Sequence, residues 1–185
     1  MPTRMERRWE RQTKKRRSAL RFAAELLAVI VLAALVRAFV FSITEVDGPS
    51  MQDTLYSGQI VAVEKLTCRF GGVQRGQIVI CRYPSSPDYY IKRVIALEGD
   101  TLEIRDGMTY LNGQALQEEY VTHPAQEDFG SVTVEPGHVF VLGDNRANSH
   151  DSRTEGTLTE SSIVGRAVCV LFPFDQIKTL NAPQE

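Results

Sequence analysis

The chain is poor in cysteine and tryptophan, with three Cys and one Trp among 185 residues. An odd, small number of thiols cannot form the framework of a disulfide scaffold. Cys81 and Cys169 sit inside apolar, strand-like runs, where buried thiols are the default. No His, Cys or acidic cluster has metal-ligand spacing, so neither a metal nor another cofactor is expected. Internal repeats and low-complexity stretches are missing, and the composition excludes a collagen-like or mostly disordered chain. Beyond residue 43 there is no long helical period, which argues against a helical enzyme core.

What is present is sharply divided. The net charge of −2 conceals a basic tail, residues 1–21, in which Arg4, Arg7, Arg8, Arg11, Lys14, Lys15, Arg16, Arg17 and Arg21 face only Glu6 and Glu10. The rest of the chain is acidic. Directly after the tail, Leu26 to Ile43 is apolar with a single charge, Arg37. Eighteen helical residues rise roughly 27 Å, close to the hydrocarbon thickness of a bilayer. A buried soluble helix would show a polar face, and Leu26 to Val36 shows none. A cleaved signal peptide needs small residues beyond the apolar run, where this chain has Phe39, Val40, Phe41 and Ile43. A retained signal anchor over 22–43 is the favoured reading, with Arg37 snorkelling toward head groups. The positive-inside rule then leaves residues 1–21 in the cytoplasm and residues 44–185 outside, in a single-pass protein of the cell membrane. An RNA- or membrane-binding tail is the bland alternative, and its position before an apolar span favours the topological role.

From Glu45 onward short apolar or alternating runs are separated by Gly, Pro, Asn and Asp. Strands are expected at 59–63, 77–82, 89–97, 101–105, 109–111, 131–134, 138–142 and 163–171, with Asp106-Gly107 as a hairpin turn. This predicts a mostly-β domain of many short antiparallel strands behind one N-terminal transmembrane helix. Residues 145–160 form a long polar loop with room for a helical turn, and such loops are often functional.

Three stretches could carry chemistry. Gly48-Pro49-Ser50 by itself is most often a surface turn. In Tyr89-Tyr90-Ile91-Lys92-Arg93-Val94-Ile95, alternation sends Lys92 and Arg93 to opposite faces. An edge-strand lysine that discourages aggregation is the plain reading of Lys92. An inward lysine would lose affinity for its proton and could act as a general base. The Gly143 to Arg153 stretch, dense in short polar side chains, suits a hydrogen-bonded loop that buttresses a site. His150 beside Asp151 suggests a Ser-His-Asp triad, but neighbours in extended chain point apart and cannot easily bond each other.

Together, Ser50-Met51-x-x-Thr54-Leu55, the strand Tyr90 to Asp100 and the Gly143 to Arg153 loop resemble three motif boxes of bacterial type I signal peptidases. Gly76 to Ile80 resembles a fourth, structural one. The resemblance spans Phe22 to Leu171 in the right order, and the short form is similar to the Gram-positive branch. It implies a membrane-bound serine endopeptidase that removes signal peptides from exported preproteins after small-x-small sites. By similarity Ser50 is the nucleophile and Lys92 its general base. Ser149 matches a serine that orients the lysine, and Asp144, Arg146, Asp151 and Arg153 match charged positions that hold the site, Asp144 pairing with Arg93. Val46, Met51, Leu55 and Ile91 match positions lining apolar subsites, and the Ser50 N–H is the implied oxyanion donor.

Two positions depart from the pattern. Asp53 stands where many members have Pro, and Gly48 where some carry a serine that donates to the oxyanion. The partners implied are signal peptides, the lipid bilayer and a nearby secretion translocon, with no nucleic acid. An anchored, non-catalytic β-domain in secretion or pilus assembly is the alternative. Intact Ser50, Lys92 and Ser149 argue against it.

Overall fold

In the computed structural model residues 4–181 are described, residues 4–19 and Ala38 by their backbone alone. The side chains of the basic tail up to residue 19 therefore lie outside the described residues. The chain divides into two units, Met1–Val40 and Phe41–Glu185. The first is a 36-residue helix, α1 (Arg4–Phe39), whose side chains from 20 to 37 are all exposed. Among the described residues no helix is long and apolar enough to cross a membrane; residues 20–37 include Arg21, Glu25 and Arg37.

The second unit is mostly β, as the alternating runs predict. Its strands are β1 (Phe41–Glu45), β2 (Ile60–Glu64), β3 (Ile78–Cys81), β4 (Tyr90–Leu97), β5 (Thr101–Arg105) and β6 (Met108–Leu111). They continue as β7 (Gln114–Ala115), β8 (Phe129–Thr133), β9 (His138–Leu142), β10 (Leu158–Thr159), β11 (Ile163–Phe172) and β12 (Lys178–Thr179). All pairings between these strands are antiparallel. The larger sheet has eight strands in the order β1-β2-β11-β3-β4-β9-β10, with β12 beside β11, and the smaller has four in the order β7-β6-β5-β8. The polar loop after β9 holds a 3-10 turn, Arg146–Asn148, and a short helix, α3 (Ser152–Glu155). Another short helix, α2 (Leu66–Phe70), and the two-residue strands carry no periodic signal in the sequence.

One boundary differs from expectation. Phe41 and Ile43 extend the apolar run of the expected anchor, yet the helix ends at Phe39 and β1 begins at Phe41. This edge strand pairs from Phe41↔Glu64 to Glu45↔Ile60 and leaves Phe41 and Ile43 exposed. Hydropathy cannot separate such a strand from the end of an apolar helix.

The core is organised around β3, all four of whose residues are buried. Ile78 and Ile80 join Val46, Met51, Leu55, Val61, Val63 and Val170 on one side. Val79 and Cys81 join Tyr83, Val94, Val139 and Val141 on the other. A third cluster, with Leu102, Ile104, Leu111, Ile95, Phe140 and Leu142, packs the smaller sheet. Each fully buried aliphatic side chain contributes about 1.5–3 kcal/mol. That rigid frame fixes where the ends of β4 and β9 meet the turn containing Ser50.

Candidate active site

Antiparallel pairing fixes the two cations of β4. Lys92 lies opposite Val79 and Arg93 opposite Ile78, so the pleat sends them to opposite faces. Both are 3% exposed. Lys92 Nζ donates to Ser50 Oγ at 2.7 Å and to the Ile91 carbonyl at 3.1 Å. No carboxylate lies within ion-pair distance of this ammonium among the described residues. Desolvation lowers the Lys92 pKa from its ordinary 10.5, helped by Arg153 and opposed by Asp151, Cys81 and Asp144. In its neutral form a lysine bonded to a serine hydroxyl can take the hydroxyl proton, and desolvation favours that form.

Arg93 is treated differently. Its Nε and Nη2 donate to the two carboxylate oxygens of Asp144 at 2.8 and 2.6 Å, and Nη1 donates to the Gly76 carbonyl at 2.9 Å. Its guanidinium lies 3.9 Å from the ring centroid of Tyr120. Thr54 Oγ1 donates to the same Asp144 carboxylate. Asp144 thus ties the serine turn, β4 and the loop after β9 into one piece, and the expected Arg93–Asp144 pair is present.

The loop after β9 is held by further buried charges. Arg146 donates to the Gly143 carbonyl, to Thr109 Oγ1 and, in a fork, to both oxygens of Glu118. Asp151 accepts from the Gly143 N–H at 3.1 Å and from Arg153 Nε and Nη2, each at 2.9 Å. Burial pushes the Asp151 and Glu118 carboxyls up, but their arginines, together with Ser149 and the Gly143 N–H at Asp151 and with Tyr120 and Thr109 at Glu118, outweigh it and leave both lowered from the ordinary carboxylate value. Asn145 N–H donates to the Ser50 carbonyl at 3.0 Å, so the loop grips the serine turn by its main chain. Gly143 allows this convergence. A Cβ there would overlap both Ser149 Oγ and the Ser50 carbonyl oxygen. Gly48, at φ +86°, makes the bend that enters the serine turn, a conformation L side chains rarely adopt.

Other expected residues sit differently from the resemblance. Ser149 Oγ is buried beside Gly143 and makes no hydrogen bond, to Lys92 or to any other described residue. It approaches Asp151 closely enough to help keep that carboxyl ionised without reaching hydrogen-bond geometry. Val46, Met51 and Leu55 are 0–2% exposed and belong to the core, while Ile91 is only partly buried against them. Of the four expected subsite residues, Ile91 alone offers substantial surface; the others form the floor beneath it. His150 Nε2 bonds Glu155 Oε1 at 2.7 Å, and neither Ser50 nor Asp151. No histidine triad is formed. Cys81 is buried, its thiol pushed up to about 12 by desolvation, and is not a nucleophile in this state. Sequence reading missed Glu118, Tyr120, Thr109 and Thr122. Glu118, Tyr120 and Thr122 come from a stretch with no strand or helix period, Thr109 lies in an expected strand without any sign of its partner, and only the three-dimensional convergence gives the four a role.

Residues 19–172 match the family model "Signal peptidase, peptidase S26". The chain is 36% identical over 91% of its length to a signal peptidase I of Bacillus licheniformis, covering 97% of that protein. It is 36% identical to signal peptidase I T of Bacillus subtilis strain 168 over 89% of this chain and 91% of that one. To a probable signal peptidase I-1 of Synechocystis sp. it is 40% identical, over 80% of each chain. A crystal structure of a signal peptidase I from Enterococcus faecalis V583 is 34% identical, covers 51% of this chain and 95% of that one, and has a TM-score of 0.47. The chain belongs to the signal peptidase family, peptidase S26, and is a hydrolase of the type I signal peptidase class.

Proposed function

We propose that this peptidase removes signal peptides from exported preproteins at small-x-small sites, with Ser50 as nucleophile and Lys92 as general base. The observation that carries the reading is the 2.7 Å contact between Lys92 Nζ and Ser50 Oγ, made by a lysine that is 3% exposed. Neutral Lys92 takes the Ser50 proton as Oγ attacks the scissile carbonyl, and the resulting ammonium returns that proton to the leaving amine. Water then attacks the acyl-enzyme with the same lysine as base. The Ser50 N–H makes no hydrogen bond among the described residues, so it is available to the developing oxyanion. Arg93, Asp144, Arg146, Asp151 and Arg153 do not touch the reacting atoms; they hold the serine turn and the loop after β9 in register. Ile91, above Met51 and Leu55, offers a shallow apolar surface suited to small side chains.

The decisive assay uses a preprotein with an Ala-x-Ala site in detergent. Wild type and His150→Ala should process it, whereas Ser50→Ala and Lys92→Ala should lose about 10³-fold or more in rate. Full activity of Lys92→Ala would end the dyad reading and move the anchored-scaffold or another protease class forward.

The anchor belongs to the same proposal. Residues Leu26 to Val36 of α1 carry no charge and are exposed, so this helix needs apolar surroundings. From Phe22 to Phe39 the rise is roughly 27 Å, with Glu25 and Arg37 near the ends, where side chains can reach head groups. The basic tail sets the cytoplasmic side, which puts the β unit outside, in the plane where the secretion translocon delivers preproteins. Removing residues 1–40 should therefore lower cleavage of membrane-inserted preproteins far more than cleavage of short peptides. Equal losses on the two substrates would count against membrane confinement.

A further inference from the structure

Asp53 follows Ser50 by three residues and takes no part in the charge network around Asp144. Its Oδ2 accepts from Thr122 Oγ1 at 2.8 Å and its Oδ1 from the Tyr56 hydroxyl at 3.1 Å. His123 Nε2 lies 4.0 Å from Oδ2. The segment it reaches is well fixed. Glu118 is forked by Arg146, Tyr120 lies under Arg93, and the Tyr120 hydroxyl donates to Glu118 at 2.7 Å. His123 also forms a parallel bridge with Asn145, and its carbonyl accepts from the Ala147 N–H at 3.3 Å. Asn145 in turn donates to the Ser50 carbonyl.

These contacts close a ring that starts and ends at the serine turn: Ser50, Asp53, Thr122–His123, Asn145, Ser50. We infer that Asp53 is a positioning residue, a clip that holds the serine turn against segment 118–123 and so keeps Ser50 Oγ in line with Lys92. The inference rests on the dyad reading above.

The chemistry suits a clip better than a ligand site. Both oxygens of Asp53 already accept hydroxyl protons, and those bonds, Thr122 first, hold its carboxyl below the usual range. The turn also keeps its inner anchors without Asp53: Thr54 on Asp144, the Leu55 N–H on the Met51 carbonyl, and Lys178 Nζ on the Thr54 carbonyl at 2.7 Å. Loss of the clip should therefore shift Ser50 rather than unfold the turn. A displacement of about 1 Å at a reacting atom costs on the order of 10²-fold in rate.

The test uses the full chain in detergent with the Ala-x-Ala preprotein, reading kcat, KM and Tm. The variants are Asp53→Ala, Asp53→Asn, Thr122→Val and the double Asp53→Ala/Thr122→Val. Asp53→Ala and Thr122→Val should each lower kcat about 10- to 100-fold, with KM within about twofold. The double variant should be no worse than the poorer single, because both break one link. Asp53→Asn can still accept from Thr122 and should recover most of the rate. Backbone hydrogen exchange at 49–55 and 120–124 should quicken in Asp53→Ala while Tm holds. Wild-type kcat in Asp53→Ala, additive losses in the double variant, a loss confined to KM, or a parallel collapse of Tm would each overturn the clip. A wild-type chain that fails to cleave would overturn the peptidase reading instead. In that case the exchange measurement still decides, and unchanged exchange would dismiss the clip as well.

Discussion

Lys92 and Arg93 are adjacent, equally buried cations on one strand, and the protein surrounds them in opposite ways. On the Arg93 face, a two-pronged carboxylate, a carbonyl and an aromatic ring compensate the charge. On the Lys92 face, a hydroxyl and a carbonyl accept from the amine, and no carboxylate among the described residues pairs with it. The guanidinium cannot give up its proton, so burying it requires a counter-charge. An amine can, and withholding the counter-charge lowers its proton affinity. One face is a cross-link and the other suits the proposed base, and the difference lies in the neighbours rather than in depth.

Substitution by methionine separates the two faces most clearly. Lys92→Met should abolish cleavage, by about 10³-fold or more, and leave a fold close to wild type in stability, because no charged partner is orphaned. Arg93→Met leaves Asp144 buried without its partner and should cost about 3–5 kcal/mol, read as a large fall in denaturation midpoint. If the stability losses ranked the other way, the contrast between the faces would be wrong.

A smaller effect sharpens the same contrast. Cleavage rate should climb with pH as Lys92 sheds its proton, with the midpoint below its ordinary 10.5. Between that lowered value and 10.5 the unfolded chain binds more protons than the folded one, so stability also rises with pH across this window. Lys92→Met should flatten that part of the stability curve. An unchanged slope in the variant would show that the lysine is not desolvated.

Much of this was legible in the sequence, for identifiable reasons. Thr101–Arg105 and His138–Leu142 have the bounds expected of them, the first because alternation marks a half-buried strand and the second because a short apolar run between glycines marks a buried one. The opposed directions of Lys92 and Arg93 follow from the pleat alone, but that both would be buried does not. Burial depends on β3, β9 and the Gly143 loop arriving from elsewhere in the chain. β1 was hidden because Phe41 and Ile43 continue the hydropathy of the helix before them. Glu118, Tyr120 and Thr122 left no trace for a different reason. Their partners, Arg146, Arg93 and Asp53, lie 27 to 69 residues away, and no local pattern encodes such a pairing.

The bare backbone at Gly143 bears on how peptidases are counted in genomes. A relative could keep a serine, a lysine and every supporting charge, yet carry alanine at this position. Its added methyl would occupy the space of Ser149 Oγ and the Ser50 carbonyl oxygen, forcing the two segments apart. A census that recognises enzymes by their reactive side chains would score that chain as competent. A sound census should therefore also ask for the residue that contributes nothing but room.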